Sequence, residues 1–349
     1  MRLLDLIAQG RCPGVNPARG VVLPGALPYS SILRECPLRY VLTDPLVVCA
    51  TQLGFAEGDR LSSCLDLVFA PGRSVWVEWA DGPRQEALRA LPTLNVQAQS
   101  GARRAGCLVR ARSDGRSGEI RTFWSTPQEL AYLSPVITDF NLDGVPQPLS
   151  APARELAGWD AVVRMSEEPA LDELLSHLRF RFDTIWARYY GQHCADERAR
   201  SEVLRRNLSA CAFDGPMLMA FFLLLGARTL LPKELVRHEQ LNKARHRAGK
   251  PGLLEHIEVS APLGPLRSRD EDVATSDSGR AAPRLHHVRG HIVRRGSTIY
   301  WRSPHLRGSA RMGQIRSRTV VLRFPHGGSH PVQSSPGNSP PRSFQTQAR

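Results

Sequence analysis

The sequence predicts an α+β protein in which antiparallel sheet elements from the N- and C-terminal regions pack on a central helical core. Three observations carry this prediction. Residues 74–124 contain segments in which apolar and polar residues alternate with the period of a strand. Residues 169–230 place apolar residues at three- and four-residue steps, the spacing of one helix face. In residues 285–324 apolar and polar residues again alternate with the period of a strand. A chain of 349 residues, 42% of them hydrophobic, is long enough for a substantial core.

Residues 1–70 are poorly defined by sequence and yield only one predicted strand, Tyr40–Ala50. Pro45 interrupts that strand, because proline cannot donate to a central ladder. The first residues contain no signal-peptide core, and the most apolar run, Met217–Gly226, is far shorter than the roughly 20 residues that cross a bilayer. The seven cysteines form no CxxC pair, which argues against a zinc ribbon or a disulfide framework. We therefore expect a cytoplasmic protein that makes no membrane contact.

The body of the protein is predicted over residues 71–260, and it begins with strands. Ser74–Trp79 alternates and ends at the turn signal Asp81-Gly82. Gly106–Arg112 and Ser117–Trp124 flank a short turn and predict a β-hairpin. The segment 126–129 (TPQE) has a hydroxyl, a proline and a glutamate at the spacing of a helix N-terminus, so a short helix is predicted there.

The middle of the chain is predicted to be helical. A stripe of apolar residues runs from Pro169 to Gly191, a second helix covers Glu197–Cys211, and Met217–Gly226 follows as a buried central helix. The segment Lys233–Gly252 is predicted to be largely helical and to end at Gly249. It forms a second, smaller basic patch, whose members include Lys243, Arg245, His246, Arg247 and Lys250.

The C-terminal third is predicted to contain strands separated by polar segments. Leu253–Val259 reads as a strand, residues 261–283 as a flexible excursion, and residues 325–349 as a disordered tail, because these two segments are too rich in small and polar residues to pack. Between them, residues 284–324 predict a basic three-stranded meander packed on the body. Its strands are 285–293, 298–303 and 314–324.

The net charge of +13 belongs entirely to the C-terminal end of the chain. The last acidic residue is Asp277, and 13 of the 46 Lys and Arg residues follow it, which leaves 33 cations against 33 acids in residues 1–277. Cations without compensating acids indicate a contact for phosphates or acidic surfaces. The predicted anion or nucleic-acid site combines this segment with the second basic patch: His287, Arg289, His291, Arg294, Arg295, Trp301, His305, Arg307, Lys243, Arg245 and Lys250.

Three stretches together resemble an uncharacterised family of proteins encoded by phages and prophages of bacteria. They are the SVWVEW strand with its hairpin, LNKARHRAGKPGL at Leu241–Leu253, and HHVRGHIVRR followed by YWRSPHLRG within residues 286–308. The last is the most specific, because the family pattern H-x-V-R-G-H, an aromatic strand and P-H-x-R-G are all present. The matching residues are His286, Val288, Arg289, Gly290, His291, Trp301, Pro304, His305, Arg307 and Gly308. The resemblance lies in blocks within residues 70–324; it implies a mobile-element origin and a bacterial cytoplasm, and it transfers no activity.

The chemistry of the cluster leaves three classes of function open. Alternation on one continuous strand would project His287, Arg289 and His291 to the same side, with Trp301 of the next strand alongside. Guanidinium groups hold phosphates and an indole ring stacks on bases, which favours a nucleic-acid-binding accessory protein, with a further protein partner also compatible. A virion or assembly protein is the first alternative. A metal-independent RNase-like enzyme, with His291 and His305 as acid and base and Arg289 on the phosphate, is the second; no cofactor or metal is expected in any of the three.

Overall fold

The computed structural model describes residues 1–12, 15–16, 21–22, 27–91, 102–125, 127–144, 169–183, 196, 198–199, 207–208, 210–227, 230–261, 284–288, 291–296, 298–302, 305–307 and 309–314. The fold class is α+β, as predicted. The helices are α1 Leu3–Ala8, α2 Leu27–Glu35, α3 Asp44–Phe55, α4 Gly58–Ser62, α5 Asp81–Arg89, α6 Pro169–Ser176, α7 Asp214–Gly226 and α8 Glu239–Arg247, with a 3-10 turn at Leu65–Leu67.

The strands divide between one large sheet and several small ladders. The large sheet has eight strands in the order β8-β7-β6-β5-β4-β3-β10-β9. They are β3 Leu38–Leu42, β4 Ser74–Ala80, β5 Arg104–Ala111, β6 Ser117–Ser125, β7 Ala131–Asn141, β8 Leu178–Phe182, β9 Lys233–Val236 and β10 His256–Val259. The short strands are β1 Val15–Asn16, β2 Val21–Val22, β11 Arg284–Val288, β12 His291–Arg295, β13 Thr298–Arg302, β14 His305–Arg307 and β15 Ser309–Gln314.

The large sheet is mixed. Its strands are antiparallel from β8 to β4, whereas β3 runs parallel to both β4 and β10. Parallel neighbours need a crossover, and α3 and α4 lie in the connection between β3 and β4. Strands β3 and β10, which lie far apart in the sequence, pair side by side in the sheet, with Tyr40 opposite Ile257. This pairing also brings the α8 segment, which connects β9 and β10, to one edge of the sheet.

Apolar residues on both faces of the sheet bury two hydrophobic cores. Alternation along β4 sends Val75 and Val77 into the larger core, which contains α3 and α7, and Trp76 into the smaller core, which contains α1. The approach of α3 to α7 is close: a Cβ on Gly54 would lie 2.8 Å from the Pro216 carbonyl oxygen. The predicted buried helix at Met217–Gly226 is confirmed, and it begins at Asp214.

The predicted hairpin at 106–124 is confirmed as β5 and β6, but three other sequence predictions in this half of the chain are wrong. The predicted strand Tyr40–Ala50 ends at Leu42, because Pro45 lies in the first turn of α3, where its missing N–H is not needed. The turn predicted at Asp81-Gly82 is the start of α5. The helix predicted at 126–129 is wrong over its described residues, since residues 127–129 form a turn, with Glu129 at a φ of +56°, that leads into β7.

Strand β7 escaped prediction because it contains Pro135. The ladder between β6 and β7 changes register between Arg121 and Phe123, which pair with Ile137 and Leu133. Pro135 lies within this irregularity, where a missing N–H breaks no regular ladder bond. Strand β8 was missed for a different reason, since the apolar stripe of α6 continues past Ser176 into a strand whose Leu178 is also buried. The predicted helix 169–191 is therefore wrong over Leu178–Phe182, its remainder at 184–191 lies outside the described residues, and so does most of the helix predicted at 197–211.

A buried charge cluster joins α5, α7 and the sheet. The Arg84 guanidinium contacts Asp81, with 2.8 Å between Nη2 and Oδ1, and also forms an ion pair with Asp214. The Thr122 hydroxyl donates to Asp214 Oδ2 at 3.0 Å, and the Trp79 ring lies 5.5 Å from the guanidinium carbon. Burial raises the pKa of Asp214 to about 6, against the opposing effect of Arg84. Because both carboxylates and the guanidinium are almost wholly inaccessible to solvent, we assign this cluster a structural role.

Candidate nucleic-acid interface

The second basic patch predicted from sequence forms an exposed helix and loop at the edge of the large sheet. We call residues 237–255, which connect β9 to β10, the α8 module. None of the nine residues of α8 is buried. The predicted helical segment Lys233–Gly252 is thus confirmed only over Glu239–Arg247, since its first residues form β9, and the strand predicted from Leu253 begins at His256.

Two side chains of α8 fix the loop that follows the helix. The Asn242 amide donates from Nδ2 to the Leu253 carbonyl at 2.9 Å and accepts from the Leu253 N–H at 2.7 Å. The Arg245 Nε–H donates to the Pro251 carbonyl at 2.8 Å. Between the helix and this loop the chain reverses direction at Gly249, whose φ of +65° is the left-handed conformation of a glycine that ends a helix. The loop is therefore held by side-chain hydrogen bonds of the helix itself.

Helix α1 holds both ends of the α8 module. At the start of the module, Nε2 of His238 lies 3.4 Å from Nη1 of Arg2, the residue that precedes α1. At the end of the module, the Leu254 N–H donates to Asp5 Oδ1 of α1 at 2.9 Å. Helix α1 is itself anchored to the sheet, because the buried carboxylate of Glu78 accepts the N–H groups of Leu3 and Leu4 at 2.8 and 2.9 Å. These contacts preorganise an exposed basic helix on a rigid base.

A buried histidine lies beneath the module, and sequence analysis did not single it out. His256, the first residue of β10, is only 1% exposed, and its Nε2 has no hydrogen-bond partner. Its ring stacks on that of His238, with 5.6 Å between centroids. Burial lowers the pKa of His256 to about 4, and the nearby Arg2 cation acts in the same direction. Because the folded protein keeps this imidazole neutral near pH 7, His256 belongs to the packing of the module.

The exposed charge of the α8 module is predominantly positive. Between Arg237 and Glu255 the sequence contains five Lys or Arg residues, at 237, 243, 245, 247 and 250, and two acids, Glu239 and Glu255. Of the three site residues predicted here, Lys243 and Lys250 are exposed, whereas Arg245 is half-buried and bonds to the loop. The module therefore offers cations to solvent, but Arg245 serves the helix–loop contact.

The first strand of the predicted C-terminal meander is wrong over the described residues, because its two parts pair in different ladders. Strand β11 ends at Val288 and pairs with β14 and β15, whereas β12 begins at His291 and forms a hairpin with β13. His287 and His291 therefore lie in different ladders, and the expectation that one strand aligns them with Arg289 does not hold. Arg289 itself, like residues 262–283 and 315–349, lies outside the described residues. Most of the strand predicted at 314–324 falls in that last range.

The registers of the two small ladders separate the remaining predicted residues. In the first ladder His286 pairs with Arg307 and Val288 with His305, while His287 stands opposite Leu306. In the second ladder His291 pairs with Arg302 and Ile292 with Trp301. Since side chains alternate along a strand, His291 and Trp301 occupy positions on opposite faces of the hairpin. The register thus does not pair Trp301 with His291.

Arg294 connects the β12–β13 hairpin to the N-terminal half of the protein. Its guanidinium forms a two-point ion pair with Asp66, with 2.8 Å from Nη1 to Oδ1 and 2.7 Å from Nη2 to Oδ2. Nη1 also donates to the Ser63 carbonyl at 2.7 Å. The face of β12 that carries Arg294 is therefore turned toward the 3-10 turn, and Arg295, which is exposed, lies on the other face with His291.

Comparison with known proteins gives no relative from which a role could be transferred: no family model, curated protein or solved structure matches this chain. Among the described residues, no helix has the length and apolar character that a membrane span requires. Within the same residues, no group of three or more His, Cys, Asp or Glu side chains is arranged to hold a metal ion.

Proposed function

We propose that this chain is a nucleic-acid-binding accessory protein encoded by a bacterial phage or prophage and that it acts in the bacterial cytoplasm. The observation that carries the proposal is the α8 module, a basic helix and loop in which no helix residue is buried and which is held in place from both ends. The acid-free segment after Asp277 supplies further cations. The family resemblance of the C-terminal motif supports the phage origin.

The physical basis of the proposed binding is the release of counterions from nucleic-acid phosphates. Each phosphate that a Lys or Arg neutralises contributes about 0.9 to the slope of log affinity against log salt on duplex DNA. A preorganised set of cations loses little conformational entropy on binding, so more of the interaction energy is retained as affinity. Both the α8 module and the arginines after Asp277 contribute to this slope.

The histidines of the C-terminal segment serve binding rather than catalysis in this proposal. Metal-independent RNA cleavage needs two imidazoles and a cation around one phosphate. The described registers put His291 in one ladder and His305 in another, and His291 is paired with Arg302. No described register pairs His291 with His305, so the proposal assigns these histidines a contact with a polyanion.

The proposal is tested by titrating the full-length protein into labelled duplex DNA, duplex RNA and single-stranded DNA at several salt concentrations. We expect affinity to fall steeply with salt, and the double variant Arg289→Gln/Arg307→Gln to lower the salt slope by up to about 2. Arg89→Gln, which removes an exposed arginine from α5, is the matched control. Affinity that does not change with salt for any of the three nucleic acids would overturn the proposed function.

A second experiment identifies the natural ligand. Nucleic acid that co-purifies with the full-length protein from a low-salt lysate is sequenced and compared with that recovered by the double variant. We expect enrichment of nucleic acid by the wild-type chain only. Co-purification with particles in place of nucleic acid, unchanged in the double variant, would instead support the assembly-protein alternative.

A further inference from the structure

The two sides of helix α8 differ in a way that indicates a specific ligand. Asn242 and Arg245, on the side toward the loop, are half-buried and committed to hydrogen bonds with it. Successive residues of a helix are turned by about 100° around its axis, so residues at i, i+3, i+4 and i+7 share one face. Four exposed residues with this spacing lie on the side of α8 opposite Asn242 and Arg245. They are Gln240, Lys243, Ala244 and Arg247, and we call them the outward face.

We propose that α8 enters the major groove of duplex DNA and that the outward face contacts base edges there. This inference rests on the proposed function and narrows it to one class of nucleic acid. An α-helix with its side chains is about 10–12 Å across, and the major groove of B-form DNA is about 12 Å wide. The major groove of A-form RNA is deep and narrow, so side chains cannot read it.

The residue types of the outward face suit this groove. A glutamine side chain forms paired hydrogen bonds with adenine, and Arg and Lys donate to the N7 and O6 acceptors of guanine. Ala244, between them, presents a methyl group that is small enough for close approach and apolar enough to contact the thymine methyl. Glu239, the only acid of α8, lies in the first turn at the edge of the outward face, since it precedes Lys243 at i,i+4 spacing.

The ends of the α8 module carry cations that suit the flanking phosphates. Arg237 precedes the helix, and Lys250 follows it in the loop that Asn242 and Arg245 hold. Both side chains are exposed. Contacts with the backbone position a protein on the duplex, while contacts with base edges carry sequence preference. The module therefore combines both kinds of contact on one rigid unit.

The geometry is tested by blocking the major groove. The full-length protein is titrated into a duplex DNA library of random sequence and into the same library with glucosylated 5-hydroxymethylcytosine, which fills the major groove. We expect the modification to weaken binding by at least about ten-fold, and duplex RNA to bind less tightly than unmodified DNA. Binding that is equal on both libraries would overturn the inference and leave the proposed function standing, whereas absence of salt-dependent binding to any nucleic acid would overturn both.

The outward face is tested by single substitutions and sequence selection from the same library. We expect Arg247→Ala to weaken binding to the selected sequence by roughly five-fold to 150-fold, the range for loss of a paired base contact. Gln240→Ala is expected to change the selected base at one position. Arg89→Ala, which removes an exposed side chain from the last turn of α5, should change neither result. Unchanged affinity and unchanged selection in both α8 variants, with helix content intact by circular dichroism, would overturn the inference.

Discussion

Replacing His256 with leucine should remove a defined part of the pH dependence of stability. The unfolded chain binds a proton at this side chain near pH 6.5, whereas burial holds the folded pKa at about 4. The folded pKa is below the unfolded one, so the unfolded state gains protons as pH falls through this window. The free energy of unfolding therefore decreases from pH 6.5 downward, and the full contribution of 2.5 pKa units is about 3 kcal/mol.

Between pH 7 and pH 5 the same two pKa values give a loss of about 2 kcal/mol from His256 alone. The measurement is urea denaturation of wild type and His256→Leu, followed by tryptophan fluorescence at pH 7, 6 and 5. The quantity compared is the change in unfolding free energy with pH, not its absolute value. His246→Leu, which removes an exposed imidazole of α8, is the matched control and should retain the wild-type pH dependence.

The comparison must be made between variants because Asp214 acts in the opposite direction. Burial raises its folded pKa from 3.8 to about 6, so the folded state holds the proton more tightly than the unfolded state. The resulting contribution makes unfolding easier as pH rises through the same window. In wild type the two contributions oppose each other, so the free energy of unfolding changes little with pH. In His256→Leu only the contribution of Asp214 remains of the two, so the free energy of unfolding decreases as pH rises through this window. Identical pH dependence in wild type and His256→Leu would refute the burial argument for His256.

Three further predictions follow from single contacts. Arg84→Met leaves Asp81 and Asp214 buried without their cation and should lower the free energy of unfolding by about 3–5 kcal/mol in urea denaturation; a loss no larger than that of the exposed control Arg89→Met would contradict it. Asn242→Ala removes both hydrogen bonds to Leu253, so amide exchange in the loop should accelerate while exchange in the large sheet stays unchanged. The protein incubated with RNA or single-stranded DNA, in chelator and with magnesium, should give no cleavage above the His291→Asn variant; cleavage that this variant loses would favour the enzyme alternative.

Local patterns predicted those elements whose structure depends on near neighbours. The hairpin of β5 and β6 was predicted because alternation and a short turn lie within one stretch of sequence. Strand β7 was not, since its preceding segment has the residue types of a helix start and Pro135 argues against a central strand. The pairing of β3 with β10 has no local signature, because more than two hundred residues separate the strands. Tertiary contacts decide such elements.

The candidate interface was predicted in composition but not in geometry. Sequence identified the cations of α8, yet it assigned Arg245 to the site, where the structure uses it to hold the loop. Gln240 and Ala244 were missed because neither is charged. A helical wheel oriented by Asn242 would have placed them on the outward face, but nothing local shows that Asn242 bonds to Leu253.

The two basic regions differ in how far acidic side chains neutralise their arginines. The acid-free segment after Asp277 is not free of acidic partners in space, because Asp66 pairs with Arg294 at two points. This pair is exposed and screened by solvent, so a polyanion can displace Asp66, but it gains less from Arg294 than from an unpaired guanidinium. In the α8 module, the Arg245 guanidinium instead donates to the Pro251 carbonyl, which orients the side chain without neutralising its charge. Arg245 therefore retains more of its positive potential than Arg294 does.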